Sequence, residues 1–233
     1  MFWALRFYLN QINKNGSFSH LKYYSRWKKS FEENASSVKD EQPWITFEAI
    51  DYLKNNIHLD SKVFEYGGGG STLFFVKRSK EVVTVEHNKE WFSILSNIMK
   101  KKEYKNWKGD FIEAQTGNYI ENPDKANPDH YSSDDEDSKH QHYYNYASAI
   151  DRFTDNYFDV ILIDGRSRSS CIKHALPKLK SGGLLVLDNS DREYYTTFFK
   201  EKLSSNFSKI IENVGPSPYS REFTKTTIWK KNK

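Results

Sequence analysis

Residues 64–75 read FEYGGGGSTLFF, four consecutive glycines between two apolar runs, with Glu65 before them and Ser71 after them. A second acid, Glu86, closes VVTVE 21 residues beyond Glu65, and two later apolar runs end in Asp164 (FDVILID) and Asp188-Asn189 (LLVLDN). Carboxylates in such places meet a ligand's cation or hydroxyls, take up a proton, or hold a magnesium-like ion. Glycine loses the most freedom on ordering, so four in a row in an ordered chain have a cause. A flexible linker does not fit, because a strand pattern precedes the block and a helix pattern follows it. A P-loop ends in Gly-Lys-Ser/Thr, where this chain has Gly70-Ser71-Thr72. The dinucleotide fingerprint G-x-G-x-x-G needs its last glycine at 72 or 73, the positions of Thr72 and Leu73. What remains is a turn whose backbone lies against a ligand.

The pattern acid-x-Gly-x-Gly-x-Gly/Ser, here Glu65, Gly67, Gly69 and Ser71, resembles the first motif of class I S-adenosylmethionine (SAM)-dependent methyltransferases. FDVILIDGR, IKHALPKLKSGGLLVLDNSDR and TTIW extend the resemblance over about Pro43 to Trp229. It implies S-adenosyl-L-methionine as the cofactor. Glu65 would engage its ammonium, the turn Tyr66, Gly67, Gly68, Gly69 and Ser71 its methionine portion, and Glu86 its ribose. His87 and an acid after the third strand, Glu113 ahead of Asp110, would line the adenine side. Asn88 either joins them or caps the next helix. Asp164, Asp188 and Asn189 would face the transferred methyl group, with Asp164 as base or acceptor-orienting group and Arg166 beside it. Those last three also resemble the metal triad of cation-dependent catechol-type O-methyltransferases. That family's lysine three residues after the first Asp is Ser167 here, so the expectation is a site without metal.

Other residues carry two readings each. Arg166 and Arg168 either grip an anionic acceptor or pair with nearby acids. His130, His140 and His142 with the acidic run 134–137 form a metal site or a solvated loop, the latter favoured. Tyr143, Tyr144 and Tyr146 wall the acceptor or re-enter the core, and Cys171 is core.

These residues need elements to place them. Strand patterns at Val63–Tyr66, Glu81–Val85, Asp110–Ala114, Phe158–Ile163 and Leu184–Leu187 alternate with helix patterns at Ser71–Arg78, Lys89–Lys102 and Cys171–Leu179. A helix over Trp44–Asn55 precedes them; a helix over Tyr194–Leu203 and strands Phe207–Val214 and Phe223–Trp229 follow. The expected fold is α/β and Rossmann-like: a seven-stranded, mostly parallel sheet with an antiparallel last strand, helices on both faces and a helical N-terminal extension. Residues 1–42 form the extension and 43–233 the main domain, with a polar insertion over about 117–148.

Composition narrows the class. The chain has 233 residues, 37% hydrophobic and 16% aromatic, with a formal net charge of +4 and one cysteine. The small, scattered charge and the lack of a basic stripe argue against a nucleic-acid partner. The opening MFWALRFYL is too short to span a bilayer, which argues against a membrane. One cysteine fits a reducing, cytoplasmic setting. The expectation is a methyltransferase acting on an oxygen of a small, possibly anionic or sugar-like molecule, with a homo-oligomer possible through the extension. The rivals are a SAM-binding scaffold without turnover and, less favoured, an NAD-dependent oxidoreductase.

Overall fold

The structure, a computed structural model, describes residues 2–15, 17–133 and 138–233; the acidic run 134–137 lies outside the described residues. Its strands are β1 (Lys62–Tyr66), β2 (Glu81–Glu86), β3 (Trp107–Phe111), β4 (Phe158–Ile163), β5 (Leu179–Asp188), β6 (Phe207–Ile211), β7 (Val214–Gly215) and β8 (Thr224–Lys231). The sheet order is β3-β2-β1-β4-β5-β8-β6, with β7 pairing onto β8. β1 to β5 are mutually parallel, and β8 runs antiparallel between β5 and β6. Seven strands lie on the path, as expected, and the two-residue β7 makes an eighth. The order reverses between β1 and β4, and a crevice opens beyond the strand ends at such a switch point.

The helices are α1 (Phe2–Asn15), α2 (Tyr24–Lys29), α3 (Phe47–Asn56), α4 (Gly70–Val76), α5 (Lys89–Lys101), α6 (Tyr144–Ser148), α7 (Arg168–Lys178) and α8 (Lys200–Asn206). Side chains on a strand alternate between faces, so β4 sends Val160 and Leu162 to one apolar cluster and Ile161 and Ile163 to another. The first cluster joins the sheet to α3, α4, α5 and the N-terminal extension, whose Tyr8, Ile12, Tyr23 and Trp27 are buried there. The second joins it to α6, α7 and α8, with Tyr143, Tyr146 and Cys171 buried. No helix among the described residues is long and apolar enough to cross a membrane.

Three elements differ from the sequence pattern. β3 covers Trp107–Phe111 rather than 110–114, because the Trp107 ring folds over Gly109, where a Cβ would lie 2.3 Å from its Cζ2. Gly109 conceals the strand from a reading by propensity. β5 begins at Leu179, so Ser181-Gly182-Gly183 is strand and not turn, with Gly182 at φ +78° and a register shift against β4. The helix over 194–203 divides into a 3₁₀ segment at Glu193–Phe199 and α8, with the Thr196 and Thr197 hydroxyls both donating to the Glu193 carbonyl.

The extension is tied to distant parts of the chain. Trp27 Nε1 donates to the Ser220 carbonyl at 2.8 Å, and Tyr219 OH donates to Asp40 Oδ2 at 2.8 Å. Its last turns press on the glycine block: a Cβ on Gly70 would lie 2.1 Å from the Ser37 carbonyl and 2.3 Å from that of Gln42. Neither is a flexible side chain, so the backbone of 37–42 would have to move. Gly70→Ala is expected to cost about 1–3 kcal/mol, as overpacking does, read as a lower urea midpoint at unchanged m.

Candidate functional site

The glycine block turns between β1 and α4, and Gly67, Gly68 and Gly70 are each required there for a different reason. Gly67 sits at φ +89°, which side chains rarely adopt, and its Cβ would lie 3.0 Å from the Asp164 carbonyl. A Cβ on Gly68 would meet Leu95 Cδ2 and Thr84 Cγ2 at 2.7 Å. Gly69 alone faces only ordinary contacts, with Trp91 Cζ2 at 3.6 Å from its missing Cβ. The block is therefore a close approach of backbone to protein on three sides and to a cavity on the fourth.

Glu65 holds that turn from beneath. It is fully buried, and it accepts from Ser71 Oγ at 2.8 Å and Thr84 Oγ1 at 2.7 Å. Thr84 Oγ1 in turn accepts from Trp107 Nε1 at 2.9 Å. Burial pushes the Glu65 carboxyl up to about 7, against the hydrogen bonds from Thr72, Thr84 and Ser71.

Glu86, at the end of β2, stands on the cavity wall. Its Oε2 accepts from the Gly68 amide at 3.0 Å, and its Oε1 from the His87 and Asn88 amides, both at 2.8 Å. Burial alone would raise this carboxyl, but the bonds from His87, Asn88 and Gly68 outweigh it and hold Glu86 below the ordinary glutamate range. His87 Nδ1 lies 2.9 Å from Glu86 Oε1. Arg166 Nε donates to His87 Nε2 at 3.1 Å. The Tyr143 and Tyr146 rings pack edge-on to His87 at 6.0 Å, which is how the end of the polar insertion supports the site.

Across the cavity, Asp164 ends β4. Burial and the nearby Asp188 push its carboxyl up, against the pull of Arg168. Arg168 is a clamp: Nη2 lies 3.1 Å from Asp164 Oδ1, Nε donates to the Gly165 carbonyl at 3.0 Å, and Nη1 donates to the Asp188 carbonyl. It locks the ends of β4 and β5 together.

One cavity of about 510 Å³, in the size range of small-molecule sites, brings most of the expected residues together. Gly67, Gly68, Gly69, Ser71, Glu86, His87, Asp164 and Arg166 all line it. Five expected residues are elsewhere. Glu65 and Tyr66 are fully buried behind the turn, Tyr66 with its hydroxyl donating to the Ala147 carbonyl at 2.6 Å. Glu113 is exposed beyond the displaced end of β3, and its neighbour Ile112 donates its amide to the Glu86 carbonyl at 2.8 Å. Asp188 accepts from Thr226 Oγ1 at 2.6 Å, and Asn189 is held in a turn at φ +49°. Neither lies on the wall.

The metal option does not fit these residues. The Arg168 guanidinium takes the place beside Asp164 that a cation would need, and Thr226 takes Asp188 Oδ1. Among the described residues no group of three His, Cys, Asp or Glu is placed to hold a metal ion. His130 Nδ1 accepts from the Asp124 amide, His140 packs on Tyr119, and His142 bridges to Gln115. Asn88 is the cap of α5, its Oδ1 accepting from the Trp91 amide at 2.9 Å.

Sequence reasoning missed two indoles on the wall. Trp91 donates Nε1 to the Gly68 carbonyl at 2.6 Å, and Trp44 is half exposed. The available signal for Trp91 was its place three residues beyond the cap, in the first turn after Glu86. For Trp44 nothing distinguishes it from a core aromatic.

The fold is Rossmann-like and is shared with solved methyltransferases. It is similar to a candidate methyltransferase of Streptococcus mutans solved in complex with SAH, at 12% identity and TM-score 0.53 over 78% of this chain and 94% of that one. It is equally similar to a candidate rRNA methylase of Clostridium thermocellum, at 10% identity and TM-score 0.53 over 80% and 94%. A methyltransferase-like protein of Silicibacter pomeroyi gives 17% identity and TM-score 0.50 over 78% and 84%. No protein-family profile and no curated protein matches the sequence. The rRNA methylase corrects one expectation: the fold is shared with a protein whose named acceptor is RNA, so an absent basic stripe does not exclude a nucleic-acid partner.

The buried Glu65 makes a pH prediction. Its carboxyl keeps its proton up to about 7 in the fold but titrates near 4.5 unfolded. The native state therefore binds more protons across that window, and stability falls as pH rises through it, by up to about 3 kcal/mol at 1.4 kcal/mol per unit. Glu65→Gln should flatten this decline, measured as urea midpoints of both proteins from acid to neutral pH.

Proposed function

We propose that the chain is a SAM-dependent methyltransferase, with residues 43–233 as the catalytic domain and the extension as one wall of its cofactor site. The observation that supports this most is the joint presence, in one cavity at the switch point, of the glycine turn and the Glu86 carboxylate. The residues fit the cofactor chemically. Glu86, below its ordinary range, is a charged acceptor for a ribose diol. The indoles of Trp91 and Trp44 offer apolar faces for a purine. Arg166 suits the cofactor's carboxylate. Glu65 acts on the turn, not on the ligand.

S-adenosylmethionine, when bound, supplies an electrophilic methyl group on a sulfonium. The chain's own part is alignment and proton uptake. Asp164 lies on the wall with a raised carboxyl, and a base titrating nearer neutrality accepts a hydroxyl proton best. Arg168 fixes its orientation. We infer an oxygen acceptor on this ground, carried on a small molecule or on RNA.

Calorimetric titration of the purified chain with SAM, S-adenosylhomocysteine and NADH tests the reading. The first two should bind and NADH should not. Glu86→Ala should weaken binding about 10- to 100-fold, the loss of hydrogen bonds to a charged group. Trp91→Ala should weaken it about tenfold, as a lost stacking face would. NADH binding alone, or SAM affinity indifferent to Glu86→Ala, would sink it.

A further inference from the structure

The first 30 residues contain six Lys or Arg and no Asp or Glu. In the fold this segment also carries much of the exposed apolar surface. α1 lays Tyr8 and Ile12 into the core and turns Leu5 and Leu9 outward, with Trp3 64% exposed. A shallow groove runs along this face between Trp3, Leu5 and Leu9, with Arg6 on its rim. The 3₁₀ segment Phe18–Tyr23, held to α1 by Tyr8 OH donating to the His20 carbonyl at 2.6 Å, adds Phe18 and Leu21, both exposed. Arg26 is taken by Asp51 at 2.6 Å, but Arg6, Lys14, Lys22, Lys28 and Lys29 are exposed. Arg221 lies over the Trp3 ring.

We propose that this face of the extension docks on an anionic phospholipid bilayer, lying on it and not crossing it. Tryptophan, phenylalanine and leucine exposed on a segment that carries exposed cations and no acid are the chemistry of an interfacial helix. The sequence expectation of no membrane concerned spanning, for which MFWALRFYL is too short; docking asks only for one apolar face and a complementary charge. A second copy is disfavoured on charge, because a two-fold contact through this face would set one cationic segment against another. RNA is disfavoured on chemistry, because most of the outward apolar side chains here, Leu5, Leu9 and Leu21, are aliphatic, and only Trp3 and Phe18 offer bases a ring.

The test is flotation of the full chain with vesicles of phosphatidylcholine, with and without phosphatidylserine, at low and physiological salt. Binding should require phosphatidylserine and weaken with salt. The pairs Trp3→Glu/Leu9→Glu and Arg6→Glu/Lys14→Glu, all at exposed positions, should each reduce it by about tenfold or more with the urea midpoint unchanged. Equal binding to both vesicle types, no binding, or binding untouched by both pairs would overturn the proposal. So would a dimer in sedimentation that Trp3→Glu dissolves, which assigns the face to a second copy. RNA binding lost in the same variants, without vesicle binding, would assign it to RNA.

Discussion

A fully buried carboxyl governs the site. Glu65 is sealed beneath the glycine turn, where it gathers Ser71 from the start of α4 and Thr84 from β2, and through Thr84 the indole of Trp107 on β3. Three parallel strands and a helix are thus registered to one buried group. Burying a polar group is costly unless its bonds are made, and here they are. The turn above it inherits that order. Gly68 is left no room between Thr84 and Leu95, and its amide is aimed at Glu86.

The other side of the cavity is governed by a second economy of charge. Asp164 and Asp188 end neighbouring strands and would repel each other if nothing stood between them. Arg168, from the first turn of α7, supplies the cation within the chain. A protein that brings its own guanidinium to that place has no use for a divalent ion there. The price is that Arg168, though it too lines the cavity, is committed to this clamp, while Arg166 beside it is joined through His87 to Glu86.

How much of this the sequence carried depends on what each residue answers to. Local patterns marked β1, β2 and β4 to within a residue, because VFEY, VVTV and FDVILI are apolar runs covered on both faces. Glu86 was legible because its spacing from Glu65 is fixed by one strand-helix-strand unit. Glu65 itself was placed in the right turn, and that the structure buries it beneath the turn was not legible, since whether such an acid points up or under depends on Ser71 and Thr84, which lie on other elements. Glu113 failed for a related reason: β3 ends three residues earlier than its propensities suggest, and Gly109, under the Trp107 ring, hides the strand from a reading by propensity. Trp44 and Trp91 were invisible as site residues, because an indole's type says nothing about which cavity it borders. The roles of Ser37 and Gln42 depend on contacts between segments that no local pattern encodes.

The extension is made early and anchored late. Its Trp27 finds its carbonyl partner at Ser220, 193 residues further along the chain. β8, which must slip between β5 and β6, comes from that same distal stretch. On the ribosome, Tyr8 and Trp27 therefore emerge long before Phe223 and Ser220, which hold them, while the backbone of 37–42 is already tied through Glu41 to Lys77 and Lys102. Domains tend to fold as units while they are synthesised, but this one completes the anchoring of its extension only when its last strand arrives. A nascent chain stalled within β5 would hold a nearly complete parallel sheet and an extension fastened at one end.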